Sequence, residues 1–496
     1  MSGLRDRIMR LRGTAAAGAS IAGGDEAGAG SSEENNREIA AELWEPAHTA
    51  QPDSTAIHQG ELDEQSSASD DDSLATDSLT GDWDGIGVVL QESSEGFFLI
   101  RKVRYPLSHR HGLHHLSELQ DTAAGLSAFE RLADSVKVKR ESRAAAKAGK
   151  PGTIPLGGAE PSFVDPERLL FLDLETTGLG VGAGNVPFMV GLGYMEAGAY
   201  VVEQMLIRHP AEERAMLAYL QELLPRFTHL VTYNGRTFDW PVLQNRFILN
   251  GYRHFKWEPV HIDLLHPSRS IWRNTLVSCR LSHVEEERLG IQRTDDVPGS
   301  QAPAIYFQFL ADADPQPLLG VFLHNESDML SLTCLAIRFG HLLEGRIGTY
   351  VVHPTEPEEI LRTGLWLEKM GALQHAEELY VRLSEESHTP ASCLCMLAER
   401  DKKCGNWPRA VLLWQKAVQG SRRSDWPDWN AHIELAMYFE HKTRQLDEAL
   451  ILAEEALSLV QHRYSGLRLD AKRRAEIDNI RKRIERLRNK TGRLYG

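Results

Sequence analysis

Between Arg168 and Arg346, short apolar runs bounded by turn residues alternate with stretches of helical period, and this alternation constrains the fold more than any other feature. RLLFLDLET reads as a buried strand ending in acids, and PFMVGLGYMEAG and AYVVEQMLIRH as the next two strands. EERAMLAYLQELL is a helix whose apolar face is Met216, Leu217, Leu220, Leu223 and Leu224. HLVTYNG is a further strand and FDWPVLQNRFILNG a helix closed by Gly251. HIDLLH is a short strand and HNESDMLSLTCLAIRF a late helix. Strands alternating with helices imply a sheet covered by helices, with functional residues at the strand ends.

The flanking regions have different textures. Between Ser20 and Asp84 there are seventeen Asp or Glu against one basic residue, Arg37, so the chain's net charge of -15 resides there and the remainder is close to neutral. Residues 1–80 are rich in Ala, Gly, Ser and acids; they cannot bury enough apolar surface to offset ordering, and are expected to form a largely disordered acidic arm. Residues 81–160 are expected to hold a small β-containing segment and a basic linker. GIGVVLQESSEGFFLIRKVRYPL alternates like a hairpin turning near Gly96. Lys137 to Lys150 then carries six Lys or Arg against Glu141, and KPGTIPLGG is a linker by composition.

Residues 356–496 are helical throughout. ALQHAEELYVRL, NWPRAVLLWQKAV and QLDEALILAEEAL align on Ala376, Ala410 and Ala449, spaced 34 and 39 residues apart, close to the tetratricopeptide period. Tyr380 and Trp414 occupy the next turn, so stacked helix pairs are expected. From Arg463 onward, twelve Lys or Arg face four acids, as in a capping helix with a basic face. Five cysteines in so long a chain, an odd number, do not make a disulfide framework and fit a reducing cytoplasm. No apolar run is long enough to span a membrane, and no apolar segment follows the basic start, so secretion is not expected.

Three places carry chemistry. Asp173 and Glu175, two residues apart at the end of an apolar strand, point to one face and can reach one metal site. Burying them beside LLFL is costly unless a cation or hydrogen bonds compensate. In YNGRTFDWP, Asp239 starts a helix, where an acid is as readily a dipole-favoured N-terminal residue as a ligand. In HNESD, His324 and Asp328 are four apart and share a helix face; a lone histidine there is more often a surface residue than a base. Taken together, four acids and a histidine suit a two-metal phosphoryl-transfer site. Carboxylates hold hard divalent ions such as Mg²⁺ or Mn²⁺, and the imidazole accepts a proton from water. The backbone amides of the TTG turn could hold a phosphate or sugar.

FLDLETTGLG, TYNGRTFDWPVLQNRF and HNESDMLSL resemble the three motifs of the DEDD exonuclease superfamily, which has a ribonuclease H-like fold. The fuller pattern, with HIDLLHPSR, LVSCRLSHVEEERLG, RTDDVPG and HNESD, resembles the bacterial YprB-type family, also called mitomycin repair factor B-like exonucleases. The likeness covers roughly Phe163 to Arg346, and the tetratricopeptide-like tail also fits. It implies an α/β ribonuclease H-like nuclease domain over 161–350, followed by an all-α helical repeat domain. The implied enzyme is a metal-dependent 3′→5′ exonuclease that hydrolyses the phosphodiester bonds of DNA with two Mg²⁺ or Mn²⁺ ions. DNA repair and a partner helicase are implied by the same likeness, and the helical repeats are expected to bind a protein partner that the sequence does not name. Carried over, Asp173, Glu175, Asp239 and Asp328 are metal ligands and His324 is the general base. Thr176, Thr177, Gly178 and Leu179 lie against the terminal nucleotide, and Asn234 lies near the substrate strand. His324 stands four residues before Asp328, one fewer than in the common histidine subclass, but the YprB-type pattern has this spacing.

Two rivals differ in class. A noncatalytic adaptor would bind protein through its repeats and only grip nucleic acid; four retained acids argue against it, since uncompensated negative charge near phosphates gains nothing. An RNA-directed or internally cutting enzyme of the same fold shares every motif. Asp263 reads as a structural strand-end acid, Asp295 and Asp296 as loop acids beside Arg293. HRHGLHH reads as surface imidazoles in preference to zinc ligands, and Cys393, Cys395 and Cys404 as residues of helical repeat faces.

Overall fold

In the computed structural model, the described residues are 83–147, 164–178, 182, 184–421, 428–468 and 470–495. The acidic arm 1–80, the linker 148–163 and Leu179 lie outside them.

Strand β1 (Val89–Ser93) turns at Gly96, whose φ of 119° lies in the region open to glycine, into β2 (Gly96–Pro106). A short ribbon, β3 (Arg110–His111) and β4 (His114–His115), leads into a 30-residue helix, α1 (Glu118–Lys147). Strands β5 (Leu169–Thr176), β6 (Pro187–Glu196) and β7 (Ala199–Leu206) form an antiparallel meander. Helix α2 (Glu213–Leu223) returns the chain to β8 (His229–Thr232), and α3 (Asp239–Leu249) returns it to β9 (Val260–Asp263). Both strands run parallel to the centre of the sheet, and the order is β1-β2-β7-β6-β5-β8-β9. The hairpin within 81–160 is therefore part of the main sheet, since β2 pairs antiparallel with β7 along eight residues.

β5 reads as an almost continuous apolar run because it is central and covered on both faces. Leu170, Leu172 and Leu174 join the core beneath α2 and α3, whereas Leu169 and Phe171 join the opposite core. That second core is covered by α1, by α4 (Leu265–Trp272) and by the long helix α7 (Leu318–Leu343); α5 (Leu281–Val284) and α6 (Ala302–Asp312) precede α7. The two-residue alternation then brings Asp173 and Glu175 out on the side of Phe171, under α7. Arg101 and Tyr105 of β2 both bind the Glu326 carboxylate of α7, pinning that helix to the sheet.

The C-terminal region is all helical: α8 (Pro357–Lys369), α9 (Leu373–Glu385), α10 (Ala391–Lys403), α11 (Trp407–Ser421), α12 (Asn430–Tyr438), α13 (Leu446–Arg463) and α14 (Ala471–Tyr495). Ala376, Ala410 and Ala449, on α9, α11 and α13, are fully buried, as their shared spacing requires. Successive pairs are tied by a ladder of contacts 32 residues apart: Arg400 to Glu368, Arg409 to Glu377, Lys402 to Glu434, and Lys416 to the Ser384 carbonyl. One apolar core runs unbroken from α7 through Trp366 and Leu397 to Trp414. The repeats are thus welded to the sheet domain, with Trp272 donating to Glu359 at 2.9 Å across the seam. No helix among the described residues is long and apolar enough to cross a membrane.

The terminal helix is held by charge. The buried Glu440 carboxylate takes Arg486 at 2.8 Å and Lys490 at 2.7 Å, with Arg483 at 3.4 Å; burial raises it, but Arg486, Lys490 and His441 hold it down to about 2. Glu440→Gln keeps the shape and removes the charge, so it is expected to destabilise the α12–α14 end by about 2 kcal/mol. Limited proteolysis should then release the last helix earlier than in the parent; unchanged protection of α14 would contradict this role.

Candidate active site

Three elements deliver the four acids. β5 carries Asp173 and Glu175, the first residue of α3 is Asp239, and the middle of α7 carries Asp328. They lie close enough for charge to couple them: Asp328 and Asp239 act on both Asp173 and Glu175, and Asp328 acts on Asp239. Burial, then repulsion by Asp328, Asp239 and Glu175, holds Asp173 well above the usual carboxylate range. Burial, then Asp328 and Asp239, lifts Glu175 to about 8. Asp239 rises to about 7, chiefly from burial, although backbone N–H groups of Asp239 and Leu174 oppose the shift. Such a set is expensive to keep anionic and has the donor chemistry that hard divalent cations prefer. By donor chemistry Asp173, Glu175, Asp239 and Asp328 are groups that could hold a hard divalent cation.

Asp328 differs from the other three because a guanidinium faces it. Arg293 donates to Asp328 and, at 2.5 Å, to the fully buried Glu285; its other nitrogen lies 3.1 Å from Asp296. His324 sits beside this network. Its Nδ1 is 2.8 Å from Oδ1 and 2.9 Å from Oδ2 of Asp296, and its Nε2 is 3.6 Å from Asp328. The Arg293 guanidinium also lies 3.2 Å from Nδ1; the closer Asp296 carboxylate favours the proton on Nδ1, and Nε2 is then the lone-pair side facing the acids, the arrangement a general base needs.

Asn325, fully buried on α7, donates to Asp173 at 3.1 Å and accepts from Gln204 at 3.0 Å. It gets this close because β6 has glycine opposite: a Cβ on Gly191 would overlap the Asn325 amide. Gly191→Ala is therefore expected to displace Asn325, cost about 1–3 kcal/mol of stability and, through a misplaced Asp173, lower any metal-dependent turnover by about 100-fold. Thermal melting and turnover measured on the same sample check this, and a variant with parental turnover would remove Asn325 from the site.

The remaining residues singled out from sequence fall as follows. Asn234 is exposed in a left-handed turn (φ 70°) after β8, its side chain engaged by Thr237 at 3.0 Å. Thr176 donates to the Gly178 carbonyl at 2.7 Å, and the Thr177 hydroxyl accepts from the Val186 N–H at 3.1 Å, so both close the turn at the end of β5. Asp263 accepts from the backbone N–H groups of Asn234 (2.9 Å), Arg236 (3.1 Å) and Leu265 (3.1 Å), a structural acid that shapes the turn before Asp239. Arg293, Glu285, Asp296 and Asn325 were not assigned to the site from sequence. All four lie inside quoted segments, Glu285 in LVSCRLSHVEEERLG, Arg293 and Asp296 in RTDDVPG and Asn325 in HNESD, but no role at the acids was read from them.

A second cluster was also missed. His114 is buried instead of lying at the surface, and with Glu118 and His341 it forms a group whose ligand atoms lie within 4.8 Å of one another and can hold one metal ion. Glu118 Oε2 lies 2.9 Å from His114 Nδ1 and 2.8 Å from His341 Nε2, and those two contacts hold its carboxyl well below the usual range despite burial. His341 is thirteen residues beyond Asp328 on α7, about 20 Å along the helix, so this cluster and the four acids are separate places. The partners come from β4, α1 and α7, which no local spacing reveals. The five cysteines are all free, with Cys393 and Cys395 buried on α10.

An open-ended sheet with acids gathered under one long helix defines a class. Residues 170–339 match the RNase_H_2 family of the RNase_H superfamily. The chain is also 34% identical over 383 residues to the "Uncharacterized protein YprB" of Bacillus subtilis (strain 168), a match covering 76% of this chain and 84% of the relative. It belongs to the YprB family, with a ribonuclease H-like core.

Proposed function

We propose that the protein is a metal-dependent nuclease of the DEDD type, a 3′→5′ exonuclease acting on DNA, with Asp173, Glu175, Asp239 and Asp328 as metal ligands. The observation that carries this reading is the cluster of four carboxylates, Glu175 and Asp239 buried and Asp173 and Asp328 half-buried, three of them held above their ordinary range by desolvation and mutual repulsion. Two divalent ions would supply the activation of water and stabilisation of the leaving oxygen in an in-line displacement. The protein's own residues do the rest. Asn325 fixes the rotamer of Asp173. Arg293 holds Asp328 and steadies the loop that carries Asp296. Asp296 orients His324, whose Nε2 takes the proton from the attacking water.

Thr176, Thr177, Gly178, Leu179 and Asn234 would line the terminal nucleotide. The 34-residue spacing and the stacked helix pairs support a tetratricopeptide-like reading of the C-terminal region, with a protein partner, by family likeness a repair helicase, on its free faces. A cytoplasmic setting fits the free cysteines. The test of substrate is cleavage of 5′-labelled single-stranded DNA, duplex DNA and RNA in Mg²⁺ or Mn²⁺. A ladder of shortening products on DNA supports the exonuclease. Preference for RNA, or discrete internal products, replaces it with the RNA-directed or internally cutting enzyme.

A further inference from the structure

Beside the turn that delivers Asp239 lies a cavity of about 660 Å³. Its walls come from three regions distant in sequence: α1, the β9–α4 corner, and α8, the first helix of the repeats. Phe129, Leu132 and Val136 form an apolar wall on α1, and Trp366 and Met370 form the floor. At its rim stand Lys137 of α1, Arg236 of the Asp239 turn and Lys369 of α8. Lys137, Arg236 and Lys369 make no ion pair among the described residues; the Arg236 guanidinium donates to the His261 carbonyl, and its backbone N–H to Asp263. The acid at the cavity, Asp263, is occupied by three backbone N–H groups.

Three cations with no acid partner among the described residues line an apolar-walled hollow, and one of them is three residues from a carboxylate of the acid cluster, within roughly 10 Å. We propose that this cavity is the channel for a single nucleic-acid strand on its way to the acids, with phosphates at Lys137, Arg236 and Lys369 and bases against the α1 wall. Charge complementarity argues for a polyanion, and apolar surface argues for unpaired bases, whose faces are otherwise stacked inside a duplex. The inference deepens the nuclease reading and rests on it. It also gives α1 and α8 a purpose: a ribonuclease H-like sheet alone has neither wall.

The test is fluorescence anisotropy with labelled oligothymidylates and oligouridylates of about 4, 8 and 16 nucleotides, run with chelator so that nothing is cut. Full-length Lys137→Glu/Lys369→Glu is expected to bind the longest strand at least about tenfold more weakly, with a salt slope smaller by about 0.7 for each lost phosphate contact. Ala133→Trp, on the exposed face of α1, fills the hollow without changing charge; it is expected to weaken binding while leaving the salt slope intact. Equal loss on DNA and RNA supports a channel blind to the sugar, and loss on one alone supports a channel that reads it. Parental binding by both variants, with the parent shortening strands in Mn²⁺, overturns the channel and leaves the nuclease standing. No binding and no shortening by the parent overturns both.

Discussion

Arg293→Ala is expected to lower stability by about 3–5 kcal/mol, because it strands the buried Glu285 carboxylate without its partner. Glu285 has no exposed side-chain surface and Arg293 very little, so water cannot replace the lost contact. The same substitution releases Asp328 and the Asp296 loop, so the position of His324 relaxes together with one of the four acids. Turnover should therefore fall by more than the loss of folded protein explains, by about 100-fold in the folded fraction. Arg293→Lys retains a charge but not the fork that reaches Glu285, Asp296 and Asp328 at once, and should recover part of the stability and little of the turnover. Urea denaturation with single-turnover kinetics separates the two effects. A variant as stable as the parent would show that Glu285 finds other partners.

The second large effect is a pH dependence that divalent metal removes. Glu175 and Asp239 titrate near 8 and 7 in the folded chain, against ordinary values of 4.5 and 3.8. The folded state therefore binds more protons than the unfolded chain between those limits, and stability is lost as pH rises through the folded values. Buried histidines with lowered values, such as His111 and His261 near 4, work in the opposite sense, but only below about 6.5. The window from pH 6.5 to 8.5 thus isolates the acids. Metal-free protein should melt lower at pH 8.5 than at 6.5. Mn²⁺ should raise the melting temperature more at 8.5, since the cation replaces the protons that the cluster otherwise retains. Glu175→Gln should stabilise the metal-free protein at pH 8.5 by on the order of 3 kcal/mol and make its melting less sensitive to Mn²⁺. Calorimetry across the window measures all three, and a metal-free melting temperature that rises with pH would contradict the clustering.

Much of this molecule is written locally in its sequence. LLFLDLET is apolar on both faces because it runs through the middle of the sheet, and its two acids emerge together because they are two residues apart. The alanines of α9, α11 and α13 are small because helices pack against them. What local pattern does not carry is partnership across distance. Asn325 reaches Asp173 through a gap left by Gly191, and each of those residues is unremarkable in its own segment. Asp296 reads from sequence as a loop acid, solvated or shaping the cleft mouth beside Arg293, and the folded loop sets it against His324. His114 looked like a surface imidazole because its partners, Glu118 and His341, include one more than two hundred residues away. The hairpin of β1 and β2 was legible as a hairpin, but its place at the edge of the sheet is set by pairing with β7, which only the folded chain decides. The same holds for the seam between the sheet and the repeats, where apolar faces from both merge into one core.

Metal-dependent cutting of a nucleic-acid strand at the four acids is the proposal on which the rest depends. Its most direct measurement is the length of a 5′-labelled single-stranded DNA incubated with the full-length protein in Mn²⁺, beside Asp173→Ala and a chelator control. The expected result is progressive shortening by the parent, abolished by chelator and reduced at least about 1,000-fold in Asp173→Ala, the scale at which electrostatic groups acting on the transition state contribute. Intact strand in every lane, with the parent still binding it, would contradict the claim and leave a ribonuclease H-like domain that grips nucleic acid without cutting it.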